Sequence, residues 1–139
     1  MHIKTIFPVI TTEKIAESRD FYVDHLGFSL VFEQDWYVHL SNGDFQLAIM
    51  LPDHPSQPPL FQGAYPGKGL ILSFETDDAA AAYEQFKAKG LDLKLDLRRE
   101  DWGEIHFALE DPSGVAVNIT QMVEATEAYQ ADYVGGTTA

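Results

Sequence analysis

Ser73, Glu75, His106 and Asn118 are the side chains whose types and spacing could do chemistry in this chain. An imidazole titrates near neutrality, a carboxylate accepts, and an amide both donates and accepts. Phe107 and Leu109 alternate with His106 and Ala108, while Val115, Val117 and Ile119 alternate with Ala116, Asn118 and Thr120. Period-two alternation sends one set to a packed face and the other to the opposite face. His106 and Asn118 are therefore expected on a shared face, where they would orient a ligand or bond to each other. A metal held by His106, Glu75 and Asn118 is a poor reading, because a neutral amide is a weak ligand for a transition metal. His106 as a metal-free general base is a further alternative.

The remaining candidates are weaker. His2 is terminal, His54 lies in a Pro-rich stretch, and His25 is near a helix end, where a partly charged imidazole suits the dipole. His39 lies on a strand. Trp36 and Trp102 each stand near the start of a predicted third strand, to pack there or to stack on a flat ligand. Arg98 and Arg99 fall in a predicted loop, as surface charge or as a carboxylate-binding pair. No Ser-His-Asp order, phosphate-binding glycine loop or catalytic carboxylate pair stands out.

The elements that must position these groups recur in a fixed order. Residues 3–11 read as a strand, Thr12 as a helix cap, and 13–26 as a helix closed by Gly27. Strands follow at 28–33, 36–40 and 45–51, the last two joined by Ser41-Asn42-Gly43-Asp44. Residues 52–69 carry five prolines and three glycines, which suit neither a helix nor an interior strand. Phe61 and Tyr65 suggest that this linker packs across something. A second strand at 70–76, a cap at Asp77-Asp78, a helix ending at Gly90 and a strand at 91–97 then repeat the order. The Asp111-Pro112-Ser113-Gly114 turn closes the final hairpin. Two βαβββ units related by internal duplication are predicted, an α+β fold. They divide the chain into 1–51, a linker 52–69, a second unit 70–121 and a tail 122–139. The tail is read as one or two helical turns followed by a disordered GGTTA.

Composition narrows the partners. The chain has 139 residues and a formal charge of −13, with 9 Lys+Arg against 22 Asp+Glu. Such a surface repels phosphate backbones and anionic lipid, so neither nucleic acid nor membrane is expected as a partner. The absence of cysteine excludes disulfides and thiolate chemistry. No stretch approaches the ~20 apolar residues of a membrane span, and no signal peptide is evident. A cytoplasmic protein is expected.

The segments SRDFYVDHLGF (18–28), FETDDAAAAYEQFKAKG (74–90) and HFALEDPSGVAVNIT (106–120) resemble the vicinal oxygen chelate superfamily. That superfamily comprises glyoxalase I, the bleomycin resistance proteins and the extradiol dioxygenases. The resemblance covers about residues 5–121. It implies curled sheets around a cup, a homodimer and, in metal-dependent members, four His, Glu or Gln ligands. Carried over, those four positions are Phe7, Ala48, Ile71 and Asn118. Three are hydrocarbon and one is a neutral amide, so no metal and no cofactor is expected.

The reading that follows is a metal-independent binder of the bleomycin-resistance type, which sequesters a drug-like, aromatic or cationic small molecule. Phe7, Ala48, Met50 and Ile71 would supply an apolar floor, and Trp36 and Trp102 the walls. Ser73, Glu75, His106 and Asn118 would supply polar handles. The alternatives are a lyase, isomerase or dioxygenase with an atypical metal site or metal-free catalysis, and an accessory module whose cup is vestigial.

Overall fold

The computed structural model describes residues 1–135; the last four residues of the predicted disordered tail lie outside the described residues. The βαβββ order occurs twice, and the chain divides into two compact units. The first holds residues 1–68 together with Asp111–Gly114, and the second holds the rest. Each unit carries its own four-stranded mixed sheet, neither closed into a barrel.

In the first unit, β1 (Val9–Thr11) is followed by α1 (Ile15–Leu26), β2 (Ser29–Glu33), β3 (Tyr37–Asn42) and β4 (Phe45–Met50). The sheet order is β1-β4-β3-β2, with β1 parallel to β4 and the other pairs antiparallel. The first strand is shorter than the predicted 3–11. Pro8 accepts a bond from the Ala48 amide at 3.0 Å but has no N–H to return, so the ladder cannot extend through it. Thr12 is not the helix cap. Its Oγ1 accepts from the Lys14 amide at 3.1 Å, and the helix begins only at Ile15. Gly27 ends α1 at φ 71°, the left-handed conformation that a glycine adopts without a Cβ clash. Val38, Leu40, Leu47 and Ile49 are buried with Phe21 and Tyr22 of α1, so one sheet face packs on the helix.

The DPSG turn belongs to this unit. Tyr22, fully buried, donates its hydroxyl to Asp111 Oδ2 at 2.6 Å, and Ser18 Oγ meets Ser113 Oγ at 2.6 Å. Burial, and then the Asp111 charge, hold the Tyr22 phenol protonated far above its usual range. Tyr22→Phe is expected to lower stability by about 1–2 kcal/mol in urea unfolding, because the buried carboxylate loses a donor. No change in midpoint would show that this bond carries no net stability.

In the second unit, β5 (Ile71–Glu75), α2 (Ala79–Ala88), β6 (Leu93–Glu100), β7 (Glu104–Glu110) and β8 (Ala116–Met122) follow the same order. The sheet order is β5-β8-β7-β6, with β5 parallel to β8. Asp78 caps α2 by accepting from the Ala81 amide at 3.0 Å. Phe107 is fully buried, with Phe86 and Tyr83 of α2 edge-on to its ring at 5.4 and 5.3 Å. The tail contributes a single turn, α3 (Glu127–Gln130). Strand β6 runs three residues beyond the predicted end at 97, so Arg98 and Arg99 lie on a strand and not in a loop. Trp102 sits in the tight turn between β6 and β7, two residues before β7 begins, near the start of the third strand as expected. Gly103 allows that turn: its φ is 100°, and a Cβ there would stand 2.5 Å from the Val123 carbonyl oxygen.

Candidate functional site

The face of the first sheet that does not meet α1 carries Val9, Thr11, Tyr37, His39, Ala48 and Met50, fixed by the register Val9↔Ala48, Thr11↔Met50, Tyr37↔Met50 and His39↔Ala48. The neighbouring β2 joins it through a bulge. Leu30 pairs with Leu40, but Phe32, two residues on, pairs with His39. Unbroken antiparallel pairing would set Val31 opposite His39, so the extra residue swings Phe32 onto this face. The linker then folds back over it. Pro59–Phe61 form a 3₁₀ turn, and the Tyr65 amide donates to the Thr11 carbonyl at 2.8 Å. His54 stacks on Trp36 with ring centroids 4.1 Å apart.

Sheet and linker line an open cavity of about 650 Å³. Phe7, Phe32, Trp36, Tyr37 and Phe61 give it aromatic walls, and no charged side chain lines it. Of the residues expected as apolar floor and walls, Phe7, Trp36 and Met50 meet here. Ala48 is fully buried in the same sheet, directly across from His39, and does not line the cavity. Sequence reading missed Phe32 and Tyr37. Tyr37 was legible by alternation with Val38, whereas Phe32 depended on the bulge.

The second sheet carries the polar residues. Ile71, Ser73 and Glu75 are exposed on β5, and Ser73 lies in register with Asn118. His106 and Asn118 share the face opposite Phe107, Val117 and Ile119, and they bond to each other: His106 Nδ1 lies 2.8 Å from Asn118 Oδ1. Their other partners complete a closed network. Asn118 Nδ2 donates to Glu104 at 3.1 Å and to Ser73 Oγ at 3.2 Å, and Thr120 donates to Glu104 at 2.7 Å. His106 Nε2 lies 2.6 Å from Glu100 Oε2, which also takes Arg98 Nε at 2.6 Å. Trp102 Nε1 donates to Glu104 Oε1 at 2.9 Å. Glu100 and Glu104 escaped the sequence reading, although Arg98, Glu100, Glu104 and His106 follow a spacing of two across the turn. Glu104 shares the His106 face by alternation on β7, and a bulge between Leu95 and Arg98 pairs Arg98 with His106 and Glu100 with Glu104, which brings Glu100 to the same face.

The network determines proton positions. A carboxylate only accepts, so the amide end facing Glu104 is the NH₂ and the end facing His106 is the oxygen. His106 Nδ1 therefore carries a proton, and Nε2, facing Glu100, carries another. The arrangement favours the charged imidazolium form of the ring. Burial alone would lower its pKa, but the bonds to Glu100 and Asn118 and the charges of Glu104 and Glu100 outweigh it and raise the pKa above the ordinary histidine value. Burial would likewise raise the Glu104 pKa, but bonds from Thr120, Trp102 and Asn118 and the His106 charge carry it below the ordinary value. The Glu100 pKa is lowered by its bonds from His106 and Arg98.

These donors do not suit a metal at the four positions carried over from the resemblance. Phe7, Ala48 and Ile71 offer only hydrocarbon, and both ends of the Asn118 amide are engaged. Among the described residues, no group of three His, Cys, Asp or Glu is placed to hold a metal ion. No helix among them is long and apolar enough to cross a membrane.

Comparison with known proteins places this geometry. The model of the Glyoxalase/Bleomycin resistance protein/Dioxygenase superfamily matches residues 2–119. No curated protein sequence matches significantly. Among solved structures, a lactoylglutathione lyase from Agrobacterium tumefaciens superposes with TM-score 0.71 at 18% identity, over 86% of this chain and 95% of that one. A glyoxalase/bleomycin resistance protein/dioxygenase from Nocardioides gives 0.72 at 18% identity, over 89% and 87%. TioX from Micromonospora sp. ML1 gives 0.69 at 16% identity, over 85% and 98%. At these identities the likeness is one of fold.

Proposed function

This chain belongs to the glyoxalase/bleomycin resistance protein/dioxygenase superfamily, and on that premise we propose that it is a small-molecule binder. It sequesters a drug-like, flat aromatic or cationic compound, without a metal, in the cavity of its first unit. The observation that carries this reading is the aromatic cavity of about 650 Å³, free of charged side chains. Its size lies inside the ordinary range for ligand sites, and mostly apolar walls with a few polar groups are their usual composition. Aromatic faces attract delocalised cations, and the net charge of −13 draws cations at long range.

The catalytic alternative with His106 as a base finds no support in the geometry. Both ring nitrogens are engaged, Nδ1 with Asn118 and Nε2 with Glu100, so neither is turned toward a ligand.

The test uses Trp36 as reporter. The chain has two tryptophans, so Trp102→Phe leaves Trp36 as the sole indole. Titration with a panel of flat aromatic cations and neutral aromatics is expected to give saturable quenching of Trp36 and a raised melting temperature for at least one compound. A panel that neither quenches nor stabilises would end the reading.

A further inference from the structure

The cavity has few polar side chains, and one of them has its proton committed. Tyr37 lines the cavity, and its hydroxyl oxygen lies 3.0 Å from His39 Nδ1. His39 Nε2 lies 2.7 Å from Gln46 Oε1. An amide oxygen only accepts, so Nε2 donates to Gln46, and with a single proton on the ring Nδ1 is the acceptor. Tyr37 must then donate. Burial raises the Tyr37 pKa, which keeps that proton on the phenol.

Strand register builds this chain of bonds. Tyr37 and His39 are two apart on β3 and share a face, while Gln46 sits on β4 opposite Ser41, diagonal to His39. The residue directly across from His39 is Ala48, whose methyl leaves the imidazole room to reach Gln46. The Phe7 ring meets His39 edge-on at 4.9 Å and covers it.

We propose that the Tyr37–His39–Gln46 relay makes the Tyr37 hydroxyl an acceptor toward the cavity, selecting flat aromatic ligands that carry a protonated amine or N–H donor over those that carry an acid. This rests on the sequestration reading and names its ligand class. A phenol that has given its proton to His39 has only lone pairs left to offer. A ligand N–H⁺ satisfies them, and a ligand carboxylate repels them. His39 and Gln46 act as positioning residues, because they set the direction of the phenol proton without facing the ligand.

The test compares 9-aminoacridinium with acridine-9-carboxylate by isothermal titration at 150 mM salt. The two have the same rings and opposite recognition groups. The native chain is expected to prefer 9-aminoacridinium. Tyr37→Phe, which changes no charge, is expected to cut that preference about tenfold by weakening the amine alone, as a hydrogen bond to a charged group would. His39→Leu frees the phenol proton and is expected to strengthen acridine-9-carboxylate, a gain that loss of structure would not produce. If both probes bind and Tyr37→Phe leaves their ratio unchanged, the relay is overturned while the cavity reading stands. If neither probe binds, the cavity reading falls and the relay with it.

Discussion

Glu104→Gln is expected to lower stability by about 2 kcal/mol at pH 6. Glu104 accepts from Thr120, Asn118 and Trp102, and its Oε2 lies 3.5 Å from His106 Nδ1. The side chain is 14% exposed, so solvent compensates poorly for what is lost. The variant turns an NH₂ toward groups that donate and removes one of the two negative charges beside the imidazolium.

The pH profile gives this prediction its signature. The His106 pKa is raised, so its contribution is complete below the ordinary value of 6.5 and fades as pH rises through the higher folded value. The Glu104 pKa is lowered, so its contribution is complete above the ordinary value of 4.5 and fades as pH falls through the lower folded value. The gap between native and variant is therefore widest between about pH 4.5 and 6.5 and narrows on both sides. Urea unfolding from pH 3 to 9 measures it. A gap that is flat with pH would show that His106 is not charged in the folded protein.

Ala64→Trp is expected to abolish binding of any compound that quenches Trp36, with at least a tenfold loss and a melting temperature within about 2 °C of the native value. Ala64 lines the cavity from the linker side and is exposed, so an indole there occupies ligand space without disturbing a packed core. Calorimetry on the variant decides the matter. Undiminished affinity would place the ligand elsewhere on the molecule and remove the cavity from the proposed function.

Sequence alone determined the order of elements, because local chemistry controls it. Gly27 and Gly90 adopt φ of 71° and 74° just past their helices, Gly43 turns its hairpin at 59°, and Asp78 caps α2. These are short-range effects of Cβ sterics and side-chain hydrogen bonds. Alternation also assigned His106 and Asn118 to one face, and residue identity removed the donor atoms from Phe7, Ala48 and Ile71. Tertiary structure decided the rest. Period two predicts facing only while register is unbroken, and the bulges at Leu30/Phe32 and Leu95/Arg98 shift it. Those two shifts bring Phe32 to the cavity face and Glu100 to the imidazolium. The linker has no periodicity to read, so nothing local revealed that Phe61 and Ala64 would close over the sheet. A hydrogen-bonding side chain reads the same whether its partner is a ligand or a neighbour. Only the packed strands committed His106 and Asn118 to Glu100, Glu104 and each other, and left the aromatic face of the first unit open.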